Sequence, residues 1–126
     1  MHWNKYQNKK RSKTDPDFVA SLPRKSRVKH RNQRKDRGWS DIDAWNGDLY
    51  LSKVISEMAI HYKAKGIHPF EYTPDEWNKI LDDIIAPLQF YNENKFGEDD
   101  LITDEHVDNA RKAMHLFAQN FDSFFC

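Results

Sequence analysis

Three observations predict an all-α fold, a compact array of three to four helices with an extended basic N-terminal arm. Ser40, Thr73 and Thr103 each stand where a helix N-cap is expected, with acids in the turn that follows. Apolar residues beyond each cap recur at i, i+3, i+4 spacing. No stretch alternates apolar and polar residues as a half-buried strand would. At 126 residues the chain fits one domain, divided by composition into a basic arm, 1–38, and an acidic helical body, 39–126.

The arm opens with a polar, basic stretch whose only large apolar groups are Trp3 and Tyr6. Asp15, Pro16 and Asp17 then read as a helix start, and Pro23 stops that helix after Leu22. From Arg24 to Arg37 eight of fourteen residues are Lys or Arg, and Val28 is the only apolar side chain. With no apolar face to bury, the segment is expected to be extended or ordered by a partner.

Gly38 marks the boundary. One helix is expected over 41–65, capped by Ser40 and closed by Lys63, Lys65 and Gly66. Its apolar residues, from Ile42 and Trp45 to Ala59 and Tyr62, cover more than one stripe, which predicts the most buried helix of the body. Gly47 inside it would permit a close helix crossing. Thr73, Pro74 and Glu76 form a capping box for a second helix, on which Trp77, Ile80, Leu81, Ile84, Ile85 and Leu88 share a face. Pro87 should kink or split it near 83–86. Thr103 caps a last helix, and Phe117, Phe121, Phe124 and Phe125 close its apolar face.

Charge is sorted along the chain. Residues 1–38 hold 13 Lys and Arg against 3 Asp, and residues 39–126 hold 7 against 17 acids. A basic arm on an acidic body implies a polyanionic partner or an internal clasp. The nucleic-acid candidates are Arg24, Lys25, Arg27, Lys29, His30, Arg31, Arg34, Lys35 and Arg37. Each cation near a phosphate releases condensed counterions, so six contacts would cost on the order of 10³-fold in affinity between 50 and 200 mM salt. The alternative is an acidic protein surface, on the chain's own body, a sister subunit or a separate partner. Glu98, Asp99 and Asp100, with the acids up to Asp108, form the densest candidate socket. Phe121, Phe124 and Phe125 would add a protein-interaction or dimer surface if the core leaves them uncovered.

Several chemistries lack their residues. There is no P-loop, no nucleophile elbow and no His-Glu-x-x-His, so no catalytic residue and no cofactor are assigned. Asp41, Asp43 and Asp48 fall within eight residues, yet they read better as helix-start acids than as metal ligands. Cys126 is the only cysteine, so no intrachain disulfide forms. Neither an 18-residue apolar run nor a signal-peptide core is present, and the expectation is an intracellular protein without a membrane partner.

Residues 37–48, Arg-Gly-Trp-Ser-Asp-x-Asp-x-Trp-x-x-Asp, followed by Leu51-Ser52-Lys53-Val54-Ile55 and by Thr73-Pro74-Asp75-Glu76-Trp77-Asn78-Lys79-Ile80-Leu81, resemble a family of small uncharacterised bacteriophage proteins. The resemblance spans about residues 37–90. It implies a phage origin and a setting in the host cytoplasm or the virion. That family has no agreed activity, so the resemblance assigns no catalytic role.

Overall fold

A computed structural model describes residues 17–95 and 101–124, and these are all-α. Helices α1 (Asp17–Ala20), α2 (Arg24–Arg37), α3 (Asp41–Trp45), α4 (Gly47–Lys65), α5 (Pro74–Asn94) and α6 (Asp104–Gln119) lead to a 3₁₀ turn at Phe121–Ser123.

The body is an up-down-up array of α4, α5 and α6. Asp48, at the start of α4, meets Tyr91 and Lys95 at the end of α5, while Lys63 meets Asp82 at 2.7 Å. These pairs make α4 and α5 antiparallel. Tyr72 bonds Asn120 at 2.9 Å and Phe90 packs on His106, which sets α6 antiparallel to α5.

Each helix start follows from its cap. Thr73 and Glu76 complete the capping box on α5, with Pro74 in the first turn. Thr103 caps α6, and His106 closes that box. Gly66 ends α4 at φ +66°, a left-handed cap that favours glycine.

The stretch after Ser40 is the most buried, as expected, with seven buried residues on α4 against five on α5, but the deepest apolar side chains belong to α5. Trp77, Leu81 and Ile84 are fully buried and Leu88 nearly so, each burial contributing roughly 2 kcal/mol. Leu49, Ile55, Ala59 and Tyr62 of α4 and Ala110 and Ala113 of α6 complete the core. On α4, Leu51 and Met58 face outward. Phe124 rests on Tyr62, Trp77 and Phe117 with ring centroids 5.4, 5.2 and 4.9 Å apart. It therefore packs against the core, partly buried.

Three expectations are corrected. The helix expected over 41–65 breaks at Asn46, and Trp45 ends the short α3 in solvent instead of the core. Gly47 starts α4, and a Cβ there would meet nothing within 4 Å, so it serves no close crossing. Of the kink or split expected at Pro87, the split is overturned: α5 runs unbroken from Pro74 to Asn94. The carbonyl deprived of a donor belongs to Asp83, on the exposed face where water can bond it.

Candidate nucleic-acid interface

The basic segment Arg24–Arg37 is a helix, not an extended arm. Lys, Arg and Gln are good helix formers, and Gly38 closes α2 at φ +89° with its N–H on the Arg34 carbonyl, 2.9 Å away. Arg34, Lys35 and Arg37 favour the negative end of the helix dipole. Arg24, Lys25 and Arg27 oppose the positive end, where no acid stands in the first turn. Tertiary contacts must hold the helix, and they are polar.

One face of α2 is clasped by the turn and helix that follow. Arg34 donates from Nε and Nη2 to the two Asp43 carboxylate oxygens at 2.8 and 2.6 Å. Asp43 also accepts from the Ser40 backbone N–H at 2.9 Å, while the Ser40 hydroxyl accepts from the Asp43 N–H at 3.1 Å. The buried His30 ring shares a 2.5 Å hydrogen bond with that same hydroxyl through Nδ1. Gln33 both donates to Asp41 and accepts from its backbone N–H, each at 3.0 Å. Arg37 reaches Asp41 at 2.8 Å and Lys29 approaches it at 3.7 Å. Tyr50 donates its hydroxyl to the Gly38 carbonyl, and Arg34 lies over the Tyr50 ring.

The electrostatics follow this geometry. Burial pushes the Asp43 carboxyl up, but the hydrogen bonds and charge of Arg34, with the Ser40 N–H and His30, outweigh it and hold the group below the usual range. Asp41 is lowered by its Gln33 and Arg37 hydrogen bonds. A cavity of about 30 Å³ lies between Val19, His30, Arg34, Asp43, Leu49 and Tyr50, room for about one water.

The nine cationic candidates therefore divide. His30 and Arg34 are turned into the clasp, which corrects their assignment to a nucleic-acid surface. Arg37 is shared between Asp41, the Trp39 carbonyl and the Trp39 ring, over which its guanidinium stands at 3.9 Å. Lys29 stays largely in water. Arg27 is exposed and donates to the Leu22 carbonyl. Arg24, Lys25, Arg31 and Lys35 are exposed and form no ion pair with an acid among the described residues. At 100° per residue, Arg24, Arg31 and Lys35 fall on one line about 100° round the helix from His30 and Arg34, with Lys25 about 100° further on.

The acidic candidates Glu98, Asp99 and Asp100, and Phe125, lie outside the described residues. Phe121 is exposed, as a partner-facing side chain would be. Asp48 belongs to a separate cluster. Tyr91 donates to it at 2.5 Å and Lys95 donates to both. Burial raises the Asp48 carboxyl and the Lys95 and Tyr91 hydrogen bonds override it, leaving it lowered. Asp41, Asp43 and Asp48 thus have separate partners, and no three His, Cys, Asp or Glu side chains converge on a cation position among the described residues. No described helix is long and apolar enough to cross a membrane.

Ser40, Asp41, Asp43, Gln33 and Tyr50 are the site residues that the pattern of apolar residues does not reveal. Two acids immediately after a basic run, with a glycine between, are the signal that identifies them. Comparison with protein-family models, curated proteins and solved structures returns no match.

Proposed function

We propose that this chain is a phage-encoded, non-enzymatic binding protein that engages the backbone of nucleic acid through the outward face of α2. The observation that carries this reading is the division of the helix. Asp41 and Asp43 neutralise and orient the inner face, while Arg24, Lys25, Arg31 and Lys35 face water without an acid partner among the described residues. Arg31 lies about 10 Å and Lys35 about 16 Å along the axis from Arg24 by the helical rise. A rigid row of cations loses less entropy on a repeating polyanion than a free arm does.

With about four phosphates contacted, affinity for DNA or RNA should fall on the order of 10²-fold between 50 and 200 mM salt. The test is a titration of labelled oligonucleotide at several salt concentrations. The Arg31→Gln/Lys35→Gln double variant should bind more weakly with a shallower salt slope and an unchanged melting temperature. Salt-independent binding by the native chain rejects the reading.

A second reading, a protein-binding or assembly factor, draws support from Phe70 and Phe121. Both are exposed, and Glu71, next to Phe70, accepts a hydrogen bond from Ser123 at 3.2 Å, which ties the two segments together. Light scattering of the Phe70→Ser/Phe121→Ser variant tests it. A reduced oligomeric mass supports the second reading, and a native monomer unaffected by the change rejects a homo-oligomer built on that end.

A further inference from the structure

Trp45 leaves 82% of its surface in water, and Trp39 leaves 46%. A single exposed indole is unremarkable by itself. Here the position gives it meaning. Trp45 is four residues beyond Asp41 and so lies on the same side of α3. Asp41 is the residue held by Lys29, Gln33 and Arg37. Those three, with Lys25, recur at i, i+4 and form a single row along one flank of α2. Trp45 therefore stands beside a mostly cationic row. At the C-terminal end of that row, Arg37 lies over the Trp39 ring at 3.9 Å, a stacked pair exposed at its edge.

Exposed aromatics interleaved with cations suit a strand whose bases are unpaired. Such bases present free π-faces for stacking while the phosphates follow the charges, whereas a duplex hides those faces. Asp41 does not reverse the local sign, because Lys29 and Arg37 both face it and Lys25 adds a third positive charge. An acidic protein would use the cations, and would match the indoles only where it also carried an apolar pocket in register with them.

The geometry points to a base-stacking platform, Trp45 together with the Arg37–Trp39 pair, that makes single-stranded nucleic acid the preferred ligand. This rests on the reading of α2 as a phosphate-binding helix.

The experiment measures fluorescence anisotropy of a labelled oligothymidylate and of a duplex of equal length, with the full chain and with Trp45→Ala and Trp45→Phe. The single strand should bind more tightly and quench tryptophan emission. Trp45→Ala should weaken it about tenfold, leave duplex binding and thermal stability unchanged, and be largely rescued by Trp45→Phe. Salt-sensitive binding in which single strand and duplex are equal, or in which Trp45→Ala has no effect, overturns the platform while leaving the phosphate contacts standing. Absence of salt-sensitive binding to both probes overturns both. A polyglutamate competitor that displaces neither probe is expected, and one as potent as the unlabelled single strand overturns the platform in favour of an acidic protein.

Discussion

Arg34 grips Asp43 in a fork, two N–H groups on two carboxylate oxygens, with the arginine side chain 14% exposed and the aspartate 5%. The same carboxylate completes the α3 capping box. One side chain thus both starts a helix and anchors its neighbour.

Removing that carboxylate should be costly. Asp43→Ala leaves a mostly buried guanidinium without its carboxylate and an N-cap without its reciprocal bond. The expected loss is about 3 kcal/mol, a fall of roughly 10 °C in melting temperature. Thermal denaturation followed by circular dichroism measures it, and a loss below about 1 kcal/mol would show that the fork contributes little.

The acid limb of stability has a determined sign. Asp43 and Asp48 are held below the usual carboxylate value despite burial, by Arg34 and by Lys95 with Tyr91 respectively. A folded pKa below the unfolded value stabilises above the unfolded value, about 3.9, and that stability is lost as pH falls through the folded one. Urea midpoints should therefore drop below about pH 4, and Asp43→Asn should drop less steeply there. Parallel slopes in the two proteins would contradict this assignment.

The alkaline limb mirrors it. Burial lowers Lys95, but Asp48 and Tyr91 outweigh that and raise it, and Tyr91 is itself raised by burial and by Asp48. Both groups hold their protons more tightly in the folded chain, so the stability they contribute is present below about pH 10 and drains above it. Asp48→Asn should flatten the fall between about pH 10 and 12, read by the same urea titration.

How much of this the sequence foretells depends on the kind of contact. Ser40, Thr73, Thr103 and Gly66 are legible because each cap is a local chemical requirement met within four residues. The α5 core face is legible because Trp77, Leu81, Ile84 and Leu88 repeat at the helical period. Helix α2 is not, because its docking face is His30, Gln33 and Arg34, and no apolar stripe marks it. Trp45 misleads for the complementary reason. Its spacing suits a continuous helix, and the break at Asn46 turns it outward.

Pro87 gives a prediction of the opposite direction. Its ring forfeits a hydrogen bond to the Asp83 carbonyl within an otherwise continuous helix. Pro87→Ala should stabilise the chain by up to about 3 kcal/mol, less what the unfolded chain gains in freedom. Chemical denaturation decides it, and destabilisation would mean that the proline ring packs in a way alanine cannot replace.

Gly38 tests the turn itself. At φ +89° with open space around it, an added methyl meets no neighbour and only the backbone is strained. Gly38→Ala should cost about 1 kcal/mol, and a neutral result in equilibrium denaturation would show that the turn adapts.

The contacts that clasp α2 join residues four to twelve positions apart, whereas Tyr72 and Asn120 meet across 48. Short loops close quickly and at little entropic cost. During synthesis the hairpin from Arg24 to Tyr50 has both members of these pairs before the later acids emerge. Arg34 and Arg37 are then already committed to Asp43 and Asp41, and the polybasic stretch is kept from pairing out of register with the acid-rich remainder of its own chain.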